Sequence, residues 1–94
     1  MGKIVVQALF IRVKGRVQGV GFRYSAMREA QRLGINGYVK NTYSGDVELW
    51  AEGQSDKLPA FLKWLNRGPP LSRVDSVETE EKTALGYTKF SLEH

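Results

Sequence analysis

Gly15-Arg16-Val17-Gln18-Gly19-Val20-Gly21-Phe22-Arg23 is the stretch that organises this 94-residue chain. Before it, Ile4 to Val13 is nearly continuous in apolar residues and reads as a central strand with both faces partly covered. After it, Phe22, Ala26, Met27, Ala30 and Leu33 mark one face of a helix over 22–33. A glycine-rich turn therefore joins a strand to a helix start, with an arginine near either end. Such a turn suits an anion. Successive backbone N–H groups form a concave nest, and a helix start adds unpaired N–H groups and the positive end of its dipole. Arg23 is placed to grip phosphate oxygens with its planar fork. The stretch is not a Walker loop, because Phe22-Arg23 stands where Lys-Ser/Thr is required. It is not the dinucleotide fingerprint either, since Tyr24 takes the place of the third glycine. The same glycines would serve a tight turn that holds no ligand, and spacing alone leaves both readings open.

Outward from this turn the pattern is regular. Gly34 is a C-terminal stop for the first helix. Ile35 to Asn41 reads as a second strand, Thr42 to Asp46 as a turn, and Val47 to Glu52 as a third strand that pairs with the second as a hairpin. Ser55 is a candidate N-cap for a helix carrying Leu58, Phe61, Leu62 and Leu65, with Pro59 in its first turn. Gly68-Pro69-Pro70 ends it. Val74 to Thr83 reads as a fourth strand and Tyr87 to Leu92 as a short last one. The order strand-helix-strand-strand-helix-strand, plus a short strand, predicts a single α+β domain over residues 1–94. It is the ferredoxin-like split βαβ sandwich, an antiparallel sheet with two helices on one face.

Composition narrows the chemistry. With no cysteine there is no disulfide and no thiol catalysis, and the one histidine is His94. Zinc sites and Ser-His-Asp triads thus have almost no residues to draw on. The N-terminus has no signal-peptide pattern and no apolar run is long enough to span a bilayer, so a cytoplasmic protein without membrane partners is expected. Net charge is +4, unevenly spread. Residues 1–42 hold eight Lys/Arg and only Glu29 as acid, while residues 43–94 are net negative. The positive half carries the glycine turn, which fits an anionic small substrate or a nucleic acid.

Topology brings in a second residue. In a βαβ crossover the first and second strands are parallel, so their C-terminal ends share one edge of the sheet. The glycine turn leaves one of those ends and Lys40-Asn41-Thr42 the other. Asn41 can therefore face Arg23 and hold a water beside a bound phosphate, or it can simply cap the hairpin turn.

The 15–23 motif, followed by Gly37-Tyr38-Val39-Lys40-Asn41, Gly45, Val47-Glu48, Gly68-Pro69-Pro70 and Arg73-Val74-Asp75, resembles the acylphosphatase family over nearly the whole chain. The resemblance implies hydrolysis of the carboxyl–phosphate bond of small acyl phosphates, with no metal and no cofactor. By position, it implies that backbone N–H groups of Gly15, Arg16, Val17, Gln18, Gly19 and Val20 bind the phosphate. Arg23 would hold it and Asn41 would orient the attacking water. Inorganic phosphate would be product and competitive inhibitor, and a monomer is expected. Many relatives end on a basic residue, whereas this chain has Ser91-Leu92-Glu93-His94, so the resemblance does not carry a C-terminal contribution to the phosphate site over to this sequence.

Two rival classes have definite signatures. An RNA-recognition domain shares this element order but needs its Gly-aromatic signature on the third strand. Here that strand is Val47-Glu48-Leu49-Trp50-Ala51-Glu52, with two acids, so no nucleic-acid partner is expected. A regulatory or maturation domain would bind an acyl or carbamoyl phosphate without turnover, and fold alone does not separate it from an enzyme.

Overall fold

In the computed structural model, which describes residues 5–94, the chain runs β1 (Val6–Arg16), α1 (Phe22–Arg32), β2 (Asn36–Asn41), β3 (Val47–Gln54), α2 (Leu58–Arg67), β4 (Arg73–Lys82) and β5 (Phe90–Glu93). Ile4, the expected start of the first strand, lies outside the described residues. The strands form one sheet in the order β4-β1-β3-β2-β5. β1 pairs antiparallel with β3 and β4, and β2 antiparallel with β3. Thus β1 and β2 run the same way, and their C-terminal ends share an edge. The sheet is not antiparallel throughout, however. β5 lies parallel to β2, which makes the sheet mixed.

Alternation along the strands sends one set of side chains to the helices. Ile11, Val13, Val39, Val47 and Leu49 are fully buried, and Phe22, Ala26 and Ala30 of α1 and Leu58, Phe61 and Leu65 of α2 close over them. Aromatic contacts tie these elements together: Phe61 of α2 meets Phe90 of β5 edge-on at 6.1 Å between ring centroids, and Phe22 of α1 meets Trp64 of α2 at 5.7 Å. Truncating a fully buried Phe of this kind costs about 3–5 kcal/mol. No helix among the described residues is long and apolar enough to cross a membrane.

Element ends follow local chemistry. Gly34 adopts φ 71°, its N–H reaches the Gln31 carbonyl, and Ile35 N–H reaches that of Ala30 at 2.8 Å, the paired bonds of a Schellman stop. Ser55 does not cap the second helix. The chain turns through 55–57, Ser55 N–H bonds the Val5 carbonyl, and α2 starts after Lys57 with no side-chain cap. β1 outruns the expected Val13 and continues past a bulge at Lys14/Gly15 to pair Arg16 with Arg73. Gly15 makes this possible. A Cβ there would lie 2.1 Å from the Arg73 carbonyl oxygen.

β4 and β5 lie on opposite edges of the sheet, so residues 83–89 must cross its outer face, the face away from the helices. At about 3.3 Å per extended residue this strap reaches about 23 Å, and four inter-strand steps of about 4.8 Å need about 19 Å. There is little slack. Tyr87, expected to begin the last strand, instead lies in the strap beside Trp50 and Tyr38, with centroids at 6.4 and 6.2 Å.

Candidate active site

The turn after β1 ends at Gly21, which takes φ 77° as the N-cap of α1. Glycine has no side chain to cap a helix, and α1 has neither a side-chain cap nor an acid in its first turn. Its first N–H groups are left for another partner. They border a cavity of about 170 Å³ lined by Val17, Gly19, Gly21, Phe22, Arg23, Tyr24, Asn41 and Leu92. The two residues that topology brought to this edge, Arg23 and Asn41, thus line one small cavity from different elements.

Asn41 ends β2, opposite Val47 in the hairpin. Its side-chain Oδ1 is buried and has no hydrogen-bond partner. An orphaned buried acceptor is costly and calls for a donor from outside the protein. The hairpin turn is held without it. Thr42 N–H bonds the Asp46 carbonyl at 2.9 Å and Gly45 N–H bonds the Thr42 carbonyl at 3.2 Å. The capping alternative for Asn41 is therefore filled by other groups.

Gln18 braces the turn and does not line the cavity. Its Nε2 donates to the carbonyls of Thr42 and Asp46, each at 2.8 Å. The Asp46 carboxylate sits nearby but is paired with Arg12 at 3.5 Å, and Arg12 also reaches Glu48 at 3.8 Å. Acid close to the turn is thus partly neutralised.

The other expected phosphate-binding positions divide. Val17 and Gly19 border the cavity, whereas Val20 packs against the core. Gly15 and Arg16 belong to β1, where register sets them against Val74 and Arg73. Gly21, Tyr24 and Leu92 are cavity residues that sequence reasoning did not single out. The C-terminal segment, to which the resemblance gave no role here, reaches Arg23 through its backbone. Arg23 Nη1 donates to the backbone carbonyl of Glu93 at 2.7 Å. A carbonyl accepts whatever the side chain, so the acidic residue there was no guide. A larger groove of about 930 Å³ between the helices shares Tyr24 with the cavity but none of the turn's glycines.

A helix start without caps, an arginine at its first turn and a buried amide acceptor across the gap meet in one small cavity of an α+β sandwich, a set of groups whose chemistry suits a small oxyanion. Comparison with known proteins agrees with that class. The model of the acylphosphatase family matches residues 9–92, and the chain belongs to that family. It is similar to an acylphosphatase of Thermotoga petrophila, 46% identical over 95% of this chain and 99% of the relative. It is similar in structure to an acylphosphatase from Coxiella burnetii, with a TM-score of 0.92, 37% identity, 99% of this chain and 100% of that one. It also resembles part of full-length HypF, solved in a phosphate- and nucleotide-bound form, with a TM-score of 0.87 and 27% identity over 99% of this chain and 12% of that one.

Proposed function

We propose that this chain, read as one acylphosphatase-like domain, hydrolyses the carboxyl–phosphate bond of small acyl phosphates by direct attack of water on phosphorus. One observation carries the mechanism: the buried, partnerless Oδ1 of Asn41 shares a cavity with the uncapped start of α1. The phosphoryl group lies against the N–H groups of the turn and of the first helical residues. Arg23 offers five N–H donors, of which the bond to Glu93 uses one, and the rest of its fork meets the phosphoryl oxygens. Asn41 Oδ1 accepts a hydrogen bond from the attacking water and so fixes its lone pair towards phosphorus.

An amide cannot take up a proton at this step. It need not, because the transition state is loose, with little bond to the nucleophile. The phosphorus–oxygen bond to the acyl group breaks and the weakly basic carboxylate leaves unprotonated. One proton of the water stays on the new P–OH and the other passes to a phosphoryl oxygen of the product. Positioning and fixed positive dipoles supply the rate. About 170 Å³ accommodates a phosphoryl group and a water but little more, so the acyl group projects outward. Inorganic phosphate, which fits the same cradle, is a competitive inhibitor in this reading. The protein acts as a monomer without metal or cofactor, and the lack of cysteine fits a cytoplasmic setting.

The similarity to a short part of HypF keeps a second reading in view, a domain that binds an acyl phosphate without turning it over. One experiment separates them: hydrolysis of benzoyl phosphate in EDTA, in ¹⁸O-water, by the chain and by Asn41→Ala. Metal-free turnover that places ¹⁸O in phosphate and collapses in the variant supports the enzyme and its mechanism. Label in benzoate would refute attack at phosphorus, and phosphate binding without hydrolysis would favour the binding domain.

A further inference from the structure

Glu52 stands out on the outer face of the sheet. It alternates with buried Ala51 and belongs to the face away from the helices, yet it is only 4% exposed. The strap covers it. Four donors converge on its carboxylate: the backbone N–H groups of Leu85, Gly86 (3.1 Å) and Tyr87 (3.1 Å), and Trp50 Nε1 (2.9 Å). Three successive N–H groups around one charge form an anion nest, here filled by the protein's own carboxylate. Three residues beyond the nest the chain enters β5.

β5 has four residues and pairs with a strand on one side only, β2, while Gln31 Nε2 of α1 also donates to its Phe90 carbonyl at 3.4 Å. Its entry is tied by Asn36 Nδ2 to the Tyr87 carbonyl at 3.0 Å and by Gly37 N–H to that of Lys89 at 2.9 Å. Its exit carries the Glu93 carbonyl that holds Arg23. Arg23 is therefore held by a short edge strand, and the chain enters that strand from a taut strap pinned at its middle by Glu52.

We infer that Glu52 is a positioning residue for Arg23, acting through the strap and β5. The inference rests on the reading that Arg23 binds the phosphoryl group. With Gln at position 52, an NH₂ group faces backbone N–H donors, and the nest re-solvates only if the strap lifts. Lifting it loosens β5 and frees the Arg23 fork from the geometry that suits phosphate.

The test is a double-mutant cycle on the inhibition constant of inorganic phosphate and on the KM for benzoyl phosphate, using wild type, Glu52→Gln, Arg23→Ala and the double variant. Glu52→Gln is expected to raise both constants about threefold to tenfold, and to change neither further once Arg23 is gone. A role in stability alone would not produce that coupling. Equal effects of Glu52→Gln in the two backgrounds, or no effect in either, would overturn the inference while leaving the role of Arg23 intact. Unchanged phosphate inhibition in Arg23→Ala would instead overturn the reading of Arg23 and this inference with it. If Glu52→Gln does not fold, Glu52→Asp keeps the charge, shortens the reach by one methylene and carries the same cycle.

Discussion

Gln18 donates to the carbonyl of Thr42 at 2.8 Å, and Thr42 directly follows Asn41. The glycine turn is thereby joined to the hairpin that carries Asn41. The two sides of the cavity come from different elements and are tied together by this side chain.

This joint predicts a graded response at position 18. Both carbonyls that Gln18 binds keep a backbone partner, Gly45 N–H for Thr42 and Thr42 N–H for Asp46. Gln18→Ala should therefore cost only about 1–2 kcal/mol of stability. Gln18→Glu is expected to be worse, because it sets a carboxylate against two carbonyl oxygens beside a phosphate cradle. Urea midpoints and kcat/KM for benzoyl phosphate, measured on both variants, check the order. A Glu variant more active than the Ala variant would sink the argument.

In the proposed mechanism Asn41→Ala removes the water's acceptor and little else. The expected outcome is a fall in kcat of about 10²–10³ with phosphate inhibition nearly unchanged. Stability should hold or rise slightly, since a buried acceptor without a partner is lost. Steady-state kinetics with a thermal melt reads both, and an unchanged kcat with raised KM contradicts the assignment.

Two glycines of the motif should behave differently. Gly15→Ala drives a Cβ to 2.1 Å from the Arg73 carbonyl oxygen at φ 134°, so β1 and β4 must separate. We expect a loss of about 2–4 kcal/mol. A Cβ on Gly19 meets nothing within 4 Å, and its φ of 74° carries only the left-handed penalty, about 1–2 kcal/mol. Gly19→Ala should fold and show its effect mainly in phosphate binding. Denaturant unfolding of the pair decides, and equal losses would count against the close approach at Gly15.

Acid sensitivity should trace in part to Glu52. Burial alone would raise its pKa, but the bonds from Leu85, Trp50, Tyr87 and Gly86 together outweigh burial and leave it lowered. A carboxylate with a lowered folded-state pKa contributes stability above its unfolded value of about 4.3. That contribution is lost as pH falls through the folded value. Glu29 acts in the same direction, lowered by its hydrogen bond from Arg32. Between about pH 5 and pH 2, wild type should therefore lose stability more steeply than Glu52→Gln. Parallel curves in urea titrations across that range would exclude Glu52 as a cause.

Much of the fold was legible because periodicity and punctuation agreed. Phe22, Ala26 and Ala30 marked a helix face, Gly34 its stop, and the Thr42–Asp46 turn a hairpin. The meeting of Arg23 and Asn41 followed from strand direction alone. What escaped was written in the backbone. The carbonyl of Glu93 that holds Arg23 has no side-chain signature, and the parallel course of β5 comes from a crossing whose direction composition does not encode. Gly15 and Arg16 looked like part of the turn because a glycine reads as an end. A bulge let β1 continue through it. Glu52 counted only as one of two acids on the third strand, and nothing in the sequence showed what would cover it.

Arg23 and the carbonyl it binds stand 70 positions apart in sequence. No local hairpin or lone helix can assemble that pair, and contacts of such long separation form late and slowly. A refolding chain should therefore regain helix signal before it regains turnover. The recovery of catalysis after dilution from denaturant then becomes a clock for the last strand finding its edge.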